Sequence, residues 1–478
     1  MTRLHEVPVA PVSIERFTSI VGTAAMDHAR QRAEWARQRL RGRTFWHVNS
    51  TSQGGGVAEM LQALLPYVRG AGIDTRWLII EGSADFFRIT KRLHHALHGS
   101  PGDGSPLGPA ERETYEARLR AQRGQLLDQV KAGDVVLLHD PQTAGFVGPL
   151  VDAGAMVIWR CHVGSDDTNE ETRLGWAFLA PYLNRMAALV FSREAYIPGT
   201  VDRSRAVVIA PSIDAFSAKN QALDAPVTRA ILEVANLTKG EASPAQARFR
   251  RDDGSEGHVG RPAVVVRSGD APPWGAPLLT QVSRWDPLKD HLGVMRAFAS
   301  LVDEGGARDA HLVLAGPDVA AVADDPEGAG TYADLLSAWE GLPDESRGRI
   351  HLANLPMADA EENAAIVNAL QRHASVVVQK SLQEGFGLTV TEAMWKARPI
   401  IASAVGGIRD QIVDGEHGIL LDDPADLGAA ARAMRRLLDD REMARGLGFA
   451  ARDRVQERYL GIRHLLQYVE LLERRDGG

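Results

Sequence analysis

Two glutamates, Glu384 and Glu392, flank a glycine-bearing turn with seven residues between them. The segment reads Gln383-Glu384-Gly385-Phe386-Gly387-Leu388-Thr389-Val390-Thr391-Glu392-Ala393-Met394 and follows Ser375–Gln379, a short apolar run with strand character. Ligands bind beyond the carboxyl ends of strands in open α/β sheets. Gly385 and Gly387 allow backbone amides to approach a ligand closely. A helix is expected to begin near Thr389, and its free N–H groups and positive dipole end favour a diphosphate. The two carboxylates could then bind hydroxyls, one on a sugar and one on a ribose. A structural reading competes: Thr389 and Glu392 have the spacing of a capping box, in which the glutamate bonds the backbone at the helix start.

Cations sit after another expected strand, Leu278–Val282, in Ser283-Arg284-Trp285-Asp286-Pro287-Leu288-Lys289-Asp290. Arg284 and Lys289 would neutralise a diphosphate there and stabilise the charge that builds as it leaves. The alternative is a surface Arg284 paired with Asp286. In the N-terminal half, Asn49-Ser50-Thr51-Ser52-Gln53-Gly54-Gly55-Gly56-Val57 joins the expected strand Thr44–Val48 to a helix. Its glycines suit an anion or a closely approaching sugar, or merely a tight turn. It is neither a P-loop nor a dinucleotide fingerprint. Trp159-Arg160-Cys161-His162 and His139-Asp140-Pro141-Gln142 each put a histidine at a strand end. Metal binding by His139, Asp140 and His162, or by Asp324-Asp325, lacks the ligand spacing of a known site. Cys161 reads as a buried small hydrophobe rather than a nucleophile.

The elements that must position these residues alternate. Strand-like runs at Val135–Leu138, Val157–Trp159, Leu189–Phe191, Val207–Ile209, His311–Ala315 and Pro399–Ala402 are separated by helical patterns such as Val57–Val68, Leu292–Leu301 and Leu427–Leu438. This order predicts βαβ units, parallel sheets and an α/β class. At roughly 100–200 residues per domain, 478 residues require more than one. The expected division is an N-terminal Rossmann-like domain over 1–240, a linker or insertion over 241–277, a second Rossmann-like domain over 278–450, and a terminal helical segment over 451–478. The middle segment is polar and carries Arg248, Arg250 and Arg251 beside Asp252 and Asp253, which reads as a solvated loop.

The formal net charge of −8 argues against nucleic acid as a main partner. No apolar run approaches the roughly 18–20 residues of a membrane span. A single cysteine and no visible signal segment fit a cytoplasmic protein.

These motifs together resemble the retaining GT-B glycosyltransferases. The Glu384/Glu392 spacing matches that family's Glu-x7-Glu signature, and Arg284 with Lys289 matches its diphosphate-binding pair. The similarity is closest to the trehalose glycosyltransferring synthases. It runs through His47–Glu59, Phe86-Phe87-Arg88-Ile89-Thr90-Lys91, His139–Gln142, Trp159–His162, Gln281–Lys289, Asp324–Gly328, Glu384–Lys396 and Val405-Gly406-Gly407-Ile408.

The resemblance implies two Rossmann-like domains with parallel sheets facing across a cleft, and a terminal helix crossing back to the first. It implies that Glu392 binds ribose hydroxyls. Glu384, with the amides of Gly385, Phe386, Gly387 and Leu388, would bind donor glucose, and Arg284 and Lys289 the diphosphate. His162 would lie at the reaction centre, with Gly55 and Gly56 closing over phosphates or acceptor. Asn49, Lys91, Asp140 and Gln142 would serve the acceptor. The implied reaction joins glucose from UDP-, ADP- or GDP-glucose to free glucose, giving trehalose, by same-face attack assisted by the leaving phosphate. No cofactor or metal site is expected, although Mg2+ could stimulate, and a homodimer is left open. A retaining trehalose phosphorylase, a same-fold transferase with another acceptor, and a non-catalytic nucleotide-sugar binder remain as alternatives. Gly164 departs from the pattern, because the family often has an acid there.

Overall fold

A computed structural model describes residues 4–52, 55–319 and 326–476. Gly54 and the Asp324-Asp325 pair lie outside the described residues. The chain forms two compact units, Met1–Ser212 with Tyr459–Gly478, and Ile213–Arg458.

The first unit holds β1 (His5–Val7), β2 (Phe45–Asn49), β3 (Thr75–Ile79), β4 (Val135–His139), β5 (Met156–Cys161), β6 (Ala188–Phe191) and β7 (Ala206–Val208). They lie in the order β1-β3-β2-β4-β5-β6-β7. All pairs are parallel except β1 with β3. Successive residues of β2 serve opposite faces. Trp46 and Val48 enter the core that also holds Leu138 and Trp159, while Phe45 enters the one with Leu137, Ile158 and Val190. Burial on both faces explains why these strands read as continuous apolar runs.

The second unit holds β8 (Arg248–Arg250), β9 (Glu256–His258), β10 (Val264–Val266), β11 (Leu278–Val282), β12 (His311–Pro317), β13 (Ile350–Leu355), β14 (Val376–Gln379), β15 (Ile400–Ser403) and β16 (Ile419–Leu421). Strands β8 and β9 pair as a small ribbon, and the main sheet runs β10-β13-β12-β11-β14-β15-β16. Its pairs are parallel except β10 with β13.

In both sheets the strand order reverses once. The crevice at such a switch point, beyond the strand carboxyl ends, is where a doubly wound sheet binds its ligand. The switch lies between β2 and β4 in the first unit and between β11 and β14 in the second. The loops leaving these four strands carry Asn49–Gly56, Asp140–Gln142, Ser283–Asp290 and Lys380–Gly387.

Two boundaries differ from expectation. Of the two readings for residues 241–277, a linker or an insertion, the structure has the segment packed within the second unit, and the division falls at Ser212/Ile213 instead of near 240. Ala247, Phe249, Val259 and Ala263 are buried with Ile231 and Leu232 of the helix Ala225–Val234, so this polar stretch is anchored by apolar residues spaced along it. Strand β10 extends the sheet, and Arg251 pairs with Asp359 and Glu361. The terminal segment also divides later than 451. The helix Arg441–Arg458 stays in the second unit, and the helix Gly461–Asp476 belongs to the first. There Tyr468, Leu471 and Leu472 are buried against Phe45, Leu137 and Ile158. Each leucine contributes on the order of 2 kcal/mol by removal from water. Among the described residues no helix is long and apolar enough to cross a membrane.

Candidate functional site

In the second unit, the turn after β14 delivers the helix Leu388–Trp395. Its N-cap is Gly387 at φ 83°, with no side-chain cap among the described residues. The capping box is therefore not formed. Thr391 Oγ1 donates to Gln411 Oε1 at 2.7 Å, and Glu392 lies inside the helix. The Glu392 side chain is 6% exposed, and its Oε1 stands 3.6 Å from Lys219 Nζ. Its Oε2 is buried without a hydrogen-bond partner among the described residues. A buried carboxylate oxygen left unmatched is costly, and a ligand hydroxyl would satisfy it.

The turn is held from behind. Gly407 N donates to Gly385 O at 2.9 Å, and Gln411 Nε2 donates to Phe386 O. A Cβ on Gly406 would stand 1.8 Å from Glu384 O, so only glycine permits this approach. The turn Gly385–Gly387 thus leads directly into a helix that has no side-chain cap among the described residues.

Lys289 and Glu384 come together, with Nζ 2.7 Å from Oε2, and Ser381 Oγ also donates to that oxygen at 3.2 Å. Arg284 is 68% exposed and contacts Asp286 at 3.2 Å, which is the surface pairing weighed for it. Asp290, at φ 50°, caps the helix His291–Asp303 and pairs with the fully buried Lys380. Burial, with Lys289 nearby, lowers the His291 pKa to about 3.

In the first unit, the helix Gly56–Gly70 starts at Gly55, with φ 82° and no side-chain cap among the described residues. The Asn49 amide is tied up locally: Nδ2 donates to Thr51 O and Oδ1 accepts from Trp77 Nε1. His162 and Asp140 meet, since His162 N donates to Asp140 Oδ1 at 2.8 Å. Asp140 holds φ 61°, an uncommon conformation for a non-glycine residue. Burial raises its pKa to about 7, against the lowering effects of the His162 amide and Arg160. Gln142 follows in the short helix Asp140–Thr143. On the helix Ala84–Leu97, Phe86, Ile89 and Thr90 face the core while Lys91 is exposed.

The half-buried His162 also joins a row with two buried histidines. Its Nε2 is 3.0 Å from His139 Nδ1, and His139 Nε2 is 3.3 Å from His47 Nδ1. Burial above all holds the pKa of all three histidines far below the ordinary value, that of His47 at about 3. Gly164 has a packing reason: a Cβ there would stand 2.2 Å from Tyr196 Cγ. Cys161 is buried and its thiol pKa is raised by burial. Among the described residues no group of three or more His, Cys, Asp or Glu could hold a metal ion.

Several positions escaped the sequence reading. Lys219 and Glu392 are remote in sequence, and no local signal links them. Arg160 did carry a signal. It shares a strand face with Ile158, and a cation on an inward face needs dedicated partners.

Two family profiles match the chain: "Trehalose synthase, N-terminal domain" over residues 47–198 and "Glycosyl transferases group 1" over residues 270–454. A trehalose synthase of Rubrobacter xylanophilus is 38% identical over 437 residues, 91% of each chain. One from Pyrococcus horikoshii is 33% identical over 477 residues, 100% of each chain. Among solved structures, the α,α-trehalose 6-phosphate synthase of Burkholderia multivorans superposes with a TM-score of 0.64 at 14% identity, covering 91% of this chain and 99% of that one.

Proposed function

This chain belongs to the trehalose synthase family of GT-B glycosyltransferases, and on that premise we propose that it transfers glucose from a nucleoside-diphosphate glucose to free glucose, with retention, to form trehalose. The observation that carries the donor half is Glu392, a buried carboxylate with one oxygen unmatched among the described residues, on a helix with no side-chain N-cap among them. That oxygen suits ribose hydroxyls. The amides of Gly385–Leu388 and the carboxylate of Glu384 suit the hydroxyls of the donor sugar. Lys289 donates to Glu384 through one of its three N–H groups and retains others for a phosphate oxygen. Arg284, on an exposed and weakly held side chain, can swing to the same diphosphate.

In the proposed step, the bond from the donor's anomeric carbon to the phosphate oxygen breaks. The acceptor hydroxyl bonds to that carbon on the same face, and its proton passes to the departing phosphate. Lys289, Arg284 and the helix N-terminus stabilise the charge that develops on the diphosphate, so catalysis is electrostatic and positional. His162 lies at the reaction centre and Asp140 beside the acceptor in this reading. The two cations perform the charge neutralisation a metal would supply, so Mg2+ would at most stimulate. A reducing cytoplasm is the proposed compartment for a chain whose single cysteine is a buried thiol.

Product analysis tests the proposal. The chain is incubated with UDP-, ADP- and GDP-glucose, each with and without glucose, and separately with trehalose and inorganic phosphate. Trehalose formed only when both a nucleotide-glucose and glucose are present is the expected result. Glucose 1-phosphate from the phosphate arm, with none of the nucleotide arms active, would replace it with a phosphorylase.

A further inference from the structure

The row of histidines has a direction. A guanidinium only donates hydrogen bonds. Arg160 Nε donates to His162 Nδ1 at 3.3 Å, so that nitrogen is the bare one. A neutral His162 then carries its proton on Nε2, which faces His139 Nδ1 at 3.0 Å. His139 must accept there, so its own proton is on Nε2, which faces His47 Nδ1 at 3.3 Å. The last proton falls on His47 Nε2, which is buried and without a partner among the described residues. The three rings are nearly parallel, inclined by 20° and 18°. They cross the adjacent strands β2 and β4 and the loop leaving β5, at the switch point of the sheet.

Both ends of the row are fixed. Arg160 is fully buried, and its remaining donors reach His464 Nε2 at 2.9 Å, Tyr468 OH at 2.6 Å and Ile209 O at 3.0 Å. His464 and Tyr468 come from the helix Gly461–Asp476, so the returning C-terminal helix sets the guanidinium that orients His162. At the other end, His47 lines an apolar cavity with Met60, Leu61, Leu64 and Leu137. Such a cavity offers no acceptor for a proton. The row therefore does not carry protons through, because among the described residues nothing at its far end receives one.

We propose that His139, His47 and Arg160 are positioning residues that lock the His162 imidazole as its Nε2–H tautomer with both ring nitrogens occupied, making it a fixed surface of the reaction centre and not an acid or base in the transfer. The inference rests on the placement of His162 at the reaction centre. It deepens that placement by leaving the acceptor proton with the departing phosphate. Burial reinforces the lock, since all three rings disfavour a second proton.

The test uses the full chain with 15N-labelled histidine and long-range 1H–15N correlation, followed by kinetics. In the unsubstituted protein, His162, His139 and His47 should each show Nε2–H and a bare Nδ1, without titrating between about pH 8 and 5.5, where an unperturbed histidine would. His139→Asn places an amide oxygen near the position of Nδ1 and should keep kcat within about five-fold. His139→Leu removes that acceptor and should lower kcat about ten- to a hundred-fold, the order expected when a buried N–H donor is left unmatched. KM for the nucleotide sugar should stay within about two-fold, because diphosphate binding on Lys289 and Arg284 is untouched. Nδ1–H on His162, or its titration in that pH range, would overturn the lock. Equal kcat losses in His139→Asn and His139→Leu would reduce His139 to packing and overturn its positioning role. Unaltered turnover in His162→Ala, with the tautomers as expected, would instead remove His162 from the reaction centre.

Discussion

Replacing Lys289 with methionine separates catalysis from stability, because the proposed site gives Lys289 a catalytic role beside its ion pair with Glu384. Its Nζ lies 2.7 Å from Glu384 Oε2, with the two side chains 16% and 12% exposed. Breaking a fully buried ion pair costs about 3–5 kcal/mol by stranding one charge. Glu384 keeps some solvent contact and the Ser381 hydroxyl, so about 1–3 kcal/mol is expected here. At about 2–4 °C per kcal/mol for a unit of this size, the melting temperature should fall by on the order of 5 °C. Catalysis should suffer separately. Loss of one well-placed donor to developing negative charge costs about 2.7–4 kcal/mol, a fall of roughly 10²–10³ in kcat. KM for glucose should barely change. Adding Glu384→Gln to Lys289→Met removes the stranded charge and should recover most of the melting temperature while turnover stays low. The assays are calorimetry or dye-monitored melting, and initial rates of trehalose formation. Wild-type turnover in Lys289→Met, or activity that returns with stability in the double variant, would show the pair to be structural and refute the reasoning.

Glu392→Gln should weaken nucleoside-diphosphate binding about ten- to a hundred-fold, since hydrogen bonds to a charged group are worth about 1.5–3 kcal/mol. Titration calorimetry with UDP, ADP and GDP measures this, and unchanged affinity for all three would count against a ribose contact. Asp140, held protonated up to about pH 7, should give a KM for glucose that falls as pH rises through that value, and Asp140→Asn should flatten the profile. Its effect on stability has the opposite sense. Its folded pKa is raised, so its contribution is full below 3.8 and is lost as pH rises to about 7. The neutral histidines His47, His139 and His162 act in reverse. Their lowered pKa values cost stability as pH falls below 6.5, by about 1.4 kcal/mol per pH unit for each ring, so thermal unfolding followed against pH should show a steep acid limb. Leu472→Ala should cost about 2–5 kcal/mol of the first unit's stability, read by denaturant unfolding, because the side chain closes the core beneath Phe45 and Ile158.

The residues of the proposed donor site were legible in sequence because they lie in short stretches that leave two neighbouring strands. Leu278–Val282 and Ser375–Gln379 were readable as apolar runs, and the motifs follow them directly. Sequence alone could not decide between capping and ligand binding for Glu392. The structure removes the capping box, because the helix starts at Leu388 behind a Gly387 in left-handed conformation, which leaves Thr389 inside the helix and not at its N-cap. Elements without a clean period were missed. Strand β10, with residues Val264–Val266 partly exposed at a sheet edge, sits in a polar stretch that reads as linker, and β13 is broken by His351 and Asn354.

The groups proposed to serve the acceptor were less legible for a physical reason. They converge from β2, β4, β5 and the C-terminal helix, and each looks ordinary alone. A lone histidine at a strand end has many uses, and three of them carry meaning only once β2, β4 and β5 lie side by side. Arg160 supplies the direction of that row, and it is held by residues more than three hundred positions away. The terminal helix is therefore more than a cover for the core, because His464 and Tyr468 decide which way the guanidinium points. Through it, the position of the chain's last helix reaches the tautomer of His162. A change at His464 should then alter turnover through His162 even where Leu471 and Leu472 keep the helix docked.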